Sequence, residues 1–245
     1  MKASAKTKEQ GVLEHIGLYS LTLRQVLDHA FFDGRDNACN NVIKSLKQKG
    51  LIVDRHELHG RVTYYQLSEE GALRAALTTA AAAPILSRLH QHLAILWFCF
   101  MDTVPRALVT KPDLKQFFPE SASSLNAPHC LEQNGDGEFC LYRVRVVKKV
   151  QPANLLKDLR AYIRKALSTP DTRAALLDGH YGFAILSENR ERLSEFEQLV
   201  HENNLHLADI SPSQQYVIPF CFGYAPSTET IGIALNEFRK RKTNA

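Results

Sequence analysis

The sequence predicts an α+β chain built as two domains, a small one over residues 11–77 and a larger, mixed α/β one over residues 85–245. Three observations carry that prediction. Stretches with helical spacing precede two short strand-forming runs that flank a polar turn. Residues 78–84, TTAAAAP, break the composition, and alanine there favours a stiff helical connector. Beyond the break, strand-forming and helical runs are mixed along the chain. With 245 residues and 44% hydrophobic content, each part has enough apolar side chain for its own core.

The elements of the first domain follow in order. Val12, Leu13, Ile16 and Leu18 mark a helix within residues 11–19. Thr22, with Gln25 three positions on, reads as the N-cap of a second helix that buries Val26, Leu27 and Ala30. Phe32-Asp33-Gly34 is a turn. Asp36 caps a third helix, Asn37 to Gln48, with Cys39, Val42, Ile43 and Leu46 on one face. Lys49-Gly50 stops it, because glycine tolerates the left-handed backbone of a helix end. Leu51-Ile52-Val53 starts a strand, Gly60 marks a turn, and VTYYQL over 62–67 alternates as a second strand. Ser68 then opens a short helix through Leu77.

Helices followed by strand, turn and strand are the order of a winged helix-turn-helix. There the third helix enters the DNA major groove and the strand-connecting turn is the wing. Opposite its apolar stripe the third helix shows Asn37, Asn40, Asn41, Lys44, Ser45 and Gln48. Asparagine and glutamine pair bidentately with adenine, and Arg35 suits guanine or a phosphate. Lys44, Lys47 and Lys49 suit phosphates, which position a protein without reading sequence. The wing, residues 54–63, adds Arg55, His56, His59 and Arg61. Asp33, Asp36 and Asp54 lie near this surface and oppose a polyanion. The predicted partner is therefore double-stranded DNA.

In the second domain, LAILWFCFM over 93–101 is too short to span a bilayer and reads as part of a buried helix over 85–100. A short helix follows Lys111-Pro112-Asp113. Residues 129–133 and 138–150 are strands joined by the hairpin turn Asn134-Gly135-Asp136-Gly137. Leu155, Leu156, Leu159, Ile163 and Leu167 form the inner face of a helix whose outer face carries Lys157, Arg160, Arg164 and Lys165. YGFAIL over 181–186 is a buried strand, 188–203 a helix, 205–210 and 216–222 strands, and 228–241 a closing helix. Tyr142 and the valine-rich strand around it offer a surface for a homodimer, the assembly that winged-helix regulators usually adopt.

Several motifs together resemble one family. They are Leu21-Thr22 and Gln25-Val26-Leu27 before Phe31-Phe32, then Val42-Ile43-Lys44-Ser45-Leu46 and Lys49-Gly50-Leu51-Ile52. Tyr64-Tyr65-Gln66-Leu67-Ser68, Gly71-Ala72 and His90-Gln91-His92-Leu93-Ala94-Ile95 complete the set. On these residues the chain resembles the replication-relaxation family of plasmid and mobile-element proteins. That resemblance implies DNA binding connected with plasmid replication or mobile-element maintenance, and a second domain similar to PD-(D/E)xK nucleases. The expected role is transcriptional regulation or assistance of replication or transfer. A metal-dependent DNA nuclease with a winged-helix targeting domain is the alternative. Such a nuclease needs carboxylates on adjacent strands and a nearby lysine. Residues 141–149, LYRVRVVKK, contain no acid-x-lysine, although Glu132, Asp136 and Glu138 lie close by. The expectation is a degenerate PD-(D/E)xK-like scaffold with no catalytic residues.

Other chemistry is weakly supported. The net charge is +4, which permits a nucleic-acid partner without requiring one. Basic residues gather at Lys2, Lys6 and Lys8 and at Arg239-Lys240-Arg241-Lys242, where they add phosphate contacts or stay solvated. Five scattered cysteines without a CxxC fit reduced thiols in the cytoplasm, and the polar first ten residues do not read as a secretory signal. His129-Cys130 and Cys140 could converge across the hairpin, but a fourth zinc ligand has no suggestive spacing. No nucleophile elbow, phosphate-binding loop or HExxH motif occurs, so no metal or other cofactor is expected.

Overall fold

The structure is a computed structural model that describes residues 7–32, 36–83, 85–102, 104–133, 135, 137–205, 207–211 and 214–243, with backbone alone for 36, 207–211, 214–215 and 242–243. The chain forms two compact units, residues 1–101 together with 226–245, and residues 102–225. This differs from the expected division at 78–84. The alanine run does not end the first core. Thr79–Ala82 is a short 3-10 turn, and Ala81 and Ala82 pack on that core.

In the first unit, helix α1 (Lys8–Tyr19) starts at Thr7, whose hydroxyl accepts from the Gln10 amide, and ends at Ser20 with φ 67°. Thr22 is not a helix cap. Thr22–Leu23 form strand β1, which pairs antiparallel with Tyr65 and Tyr64. Thr22 is fully buried and its hydroxyl meets the His15 ring at 3.0 Å. Helix α2 (Arg24–Leu27) continues as a wider π-helical turn to Phe32. Helix α3 (Asp36–Gln48) closes with Gly50 at φ 68° and a bond from the Leu51 amide to the Leu46 carbonyl, the capping expected at Lys49-Gly50.

Strands β2 (Ile52–Arg55) and β3 (Tyr64–Leu67) form an antiparallel hairpin, and the sheet order is β1-β3-β2. Helix α4 (Glu69–Arg74) is capped by Ser68. Leu13, Ile16, Leu27, Ile43, Leu46 and Leu67 are among the buried core residues of this unit. Helix α5 (Leu89–Phe100) brings the Phe100 ring to within 5.1 Å of both His15 and Tyr19. Its Leu93 to Cys99 are all buried, as a helix apolar on every side requires. Helix α10 (Ile231–Thr243) also belongs here, and Thr228 ahead of it accepts the His59 amide at 2.9 Å.

The second unit is a five-stranded mixed sheet in the order β10-β7-β6-β5-β4. Strands β4 (Arg106–Val109), β5 (His129–Gln133) and β6 (Phe139–Val147) form an antiparallel meander. Helix α6 (Lys111–Phe117), with a capping box from Thr110, lies between β4 and β5. Helices α7 (Pro152–Leu167) and α8 (Pro170–Leu177) then carry the chain to β7 (Tyr181–Ser187), parallel to β6. Helix α9 (Arg190–Glu202) and the small pair β8 (Leu207–Ser211) and β9 (Gln214–Val217) lead to β10 (Phe220–Tyr224), parallel to β7. One sheet face carries Leu141, Val147, Phe183 and Ile185 into cores shared with α7, α8 and α9. The opposite face carries the buried Cys130, Cys140, Tyr142, Val144 and Ala184.

Strand β4 and helix α8 were not read from the sequence, and 216–222 divides at Ile218-Pro219 into the ends of β9 and β10. At the expected dimer surface, β6 is paired on both sides and Tyr142 and Val144 are buried, whereas Phe139 at its start is exposed. No helix among the described residues is long and apolar enough to cross a membrane.

Candidate nucleic-acid interface

The spacing of α3 sorts its side chains. Cys39, Ile43 and Leu46 are buried, whereas Asn37, Asn40, Asn41, Lys44, Lys47, Gln48 and Lys49 are exposed. Asn37, Asn41, Lys44 and Gln48 recur every three or four residues and so form one polar stripe along the helix. Ser45, predicted on that face, is instead half-buried and donates to Glu9 at 2.7 Å. Arg35 lies outside the described residues.

The stripe is not uniform. Arg24, at the start of α2, donates from Nε to Oδ1 of Asn40 at 2.8 Å. Reading adenine takes both ends of an asparagine amide, so Asn40 would have to surrender that bond first. Asn41 has no such partner among the described residues. The lysines divide in the same way. Lys47 pairs with Asp54, and Lys49 pairs with Glu9 at 2.6 Å. These hydrogen bonds hold the Lys47 ammonium above its usual range and the Glu9 carboxyl below its own. Both pairs are solvent-exposed, with 44% and 52% of the lysine side chains accessible. Exposed pairs of this kind contribute at most about 1 kcal/mol, so a phosphate can displace the carboxylate. Lys44 has no acidic partner among the described residues. Asp54, expected to repel a polyanion, is thus matched by Lys47.

The turn between β2 and β3, expected as the wing, is shaped by two consecutive left-handed residues, Gly60 (φ 76°) and Arg61 (φ 57°). Leu58 is buried and anchors its near side. Arg61 and His59 are exposed, His56 is exposed within 3.3 Å of the Thr63 hydroxyl, and Arg55 is half-buried on β2 opposite Tyr64. Sequence reading missed Arg24 and placed Arg239 only in a basic C-terminal run. Both line a cleft of about 530 Å³ beside the β2–β3 turn.

The second unit holds a charged centre of its own. The Arg106 guanidinium donates to Glu132 at 2.6 Å and to Asp102 at 2.7 Å, and one Nη lies 3.8 Å from the Cys221 sulfur. The Arg106 side chain is 4% accessible and that of Glu132 is 12%. In the strand register Glu132 stands opposite Cys140, and Cys130 opposite Tyr142. Cys140-Leu141-Tyr142 therefore lies on β6 facing the only carboxylate of β5. Burial pushes the Cys140 and Cys221 thiols up to about 11 and raises the Tyr142 hydroxyl as well, so all three stay protonated at neutral pH. Glu138 is exposed at the hairpin turn, and Asp136 lies outside the described residues.

The convergence of His129 with Cys130 and Cys140 does not occur. Neighbouring residues of a strand point to opposite faces, and the His129 ring is bonded to the Ala127 carbonyl and the Tyr181 hydroxyl. All five cysteines are free thiols. No group of three or more His, Cys, Asp or Glu among the described residues is arranged to hold a metal ion. No family model, curated protein or solved structure matches the chain.

Proposed function

We propose that this protein binds double-stranded DNA through its first unit, a winged helix-turn-helix with α3 as recognition helix and residues 56–63 as wing. The exposed stripe Asn37, Asn41, Lys44 and Gln48 carries the reading, because a helix face left to solvent with amide and ammonium groups suits base edges flanked by phosphates. The element order and the sheet order β1-β3-β2 support it, with the β2–β3 hairpin following α3 directly. The resemblance of residues 18–95 to replication-relaxation proteins extends the reading to regulation, replication or transfer of a plasmid or mobile element.

On this reading the second unit is a PD-(D/E)xK-like scaffold without cleavage chemistry. Its meander of β4, β5 and β6 followed by a parallel crossover to β7 supports the likeness. Glu132, the carboxylate best placed for a metal, is held by the Arg106 guanidinium, and cysteine and tyrosine face it where acid-x-lysine is needed.

Duplex binding measured across a salt series tests the proposal. Affinity falls linearly with salt on logarithmic axes. Lys44→Ala weakens binding to every duplex and lowers the slope by about 1. A wild-type chain without salt-sensitive duplex binding overturns it.

A further inference from the structure

The return of the chain to the first unit places a basic element beside the β2–β3 turn. Thr228 accepts the His59 amide at 2.9 Å, and the wing and α10 approach backbone to backbone at Gly60 and Gly232. A Cβ on Gly232 would lie 3.6 Å from the Gly60 Cα and the His59 oxygen. Between these elements and the start of α2 lies the cleft of about 530 Å³. Arg24, Arg61 and Arg239 line it from three separate segments of chain, together with Gln25, Thr63 and Asn236. Glu229 is the one carboxylate among its described lining residues.

We infer that this cleft is a phosphate site for the DNA backbone and that α10 is part of the DNA-binding surface. The inference rests on the proposed duplex binding and adds a site to it. Guanidiniums from three separate segments of chain converge on one cleft. Arginine's planar fork matches two oxygens of a phosphodiester, which lysine does not. The position favours the duplex backbone over a free anion. Arg24 both lines the cleft and holds Asn40 of α3, so the cleft adjoins the edge of the recognition helix where the backbone bordering its groove would pass. Of the C-terminal basic run, Arg239 lines the cleft, while Lys240 and Arg241 are exposed on other sides of α10.

The test uses the full chain and a fixed duplex across a salt series. Arg61→Gln and Arg239→Gln should each lower the salt slope by about 1. They should weaken all duplexes alike, while sequence preference stays as in the wild type. Arg239→Lys should keep the slope, because the charge remains, with weaker affinity. Thermal melting of each variant is measured alongside, so that a loss of affinity is read only from folded protein. If the wild type binds in a salt-sensitive way and both glutamine variants keep its affinity and slope, the cleft is not a phosphate site. If the wild type binds no duplex, the proposed function fails with it.

Discussion

Asn40 and Asn41 are neighbours in the sequence and unequal in the fold, since Arg24 holds the first and leaves the second to solvent. A sequence shows which residues share a helix face, and it showed this stripe. Partners that arrive from elsewhere in the chain are invisible at that level. Lys47 and Lys49 looked like Lys44, yet Asp54 and Glu9 meet them only after folding. Arg106 is the strongest case, an arginine on an unrecognised strand that is buried against Glu132. Arg106→Met should destabilise the chain by about 3–5 kcal/mol in urea unfolding, because it leaves a buried carboxylate uncompensated. The double variant Arg106→Met with Glu132→Leu should recover most of that loss.

Two histidines give a second prediction at this scale. Burial lowers His15 and His129 from 6.5 to about 4, so each is neutral when folded at pH 7. Between those values the unfolded chain binds more protons than the folded one. Their contribution is complete above pH 6.5 and is lost as pH falls through 4, by up to about 3 kcal/mol per histidine. Unfolding free energies measured from pH 7 to 4 should fall steeply. His129→Gln should flatten that fall, and a flat profile in the wild type would contradict the burial.

At the scale of elements, periodicity made the long pieces legible. α3, β6, α7, β7 and α9 follow from apolar spacing or unbroken strand formers, and tertiary contacts moved their ends by only a few residues. Short pieces were not legible, because their identity comes from a partner. Thr22-Leu23 carries a plausible capping pattern, but pairing with Tyr65 and Tyr64 makes it a strand. β4 has four residues and is defined by its ladder with β5. Gly71, noted as part of a motif, has a physical role that the motif alone did not disclose. A Cβ there would stand 1.8 Å from the Leu51 carbonyl oxygen, so α4 can pack on the turn before β2 only with glycine. Gly71→Ala should cost about 1–3 kcal/mol or more in unfolding measurements. Gly50→Ala, which meets nothing within 4 Å, should show only the smaller strain of its φ of 68°.

At the scale of the molecule, the second unit is an insertion. The chain leaves the first unit after Met101 and re-enters it at Pro226. No composition break marks the re-entry, which is why 85–245 read as one domain. The consequence for function is that the proposed DNA-binding surface is assembled from both ends of the sequence, with α3 and the wing from one and α10 from the other. On the proposed reading, the charges position the duplex and the amides of α3 read its sequence. The decisive measurement is sequencing of duplexes selected from a random pool by the wild-type chain and by Asn41→Ala. The account predicts an enriched motif for the wild type and a loss of preference of about 1–3 kcal/mol confined to one or two adjacent base pairs in the variant. Identical motifs from the two proteins, or no enrichment by either, would contradict it.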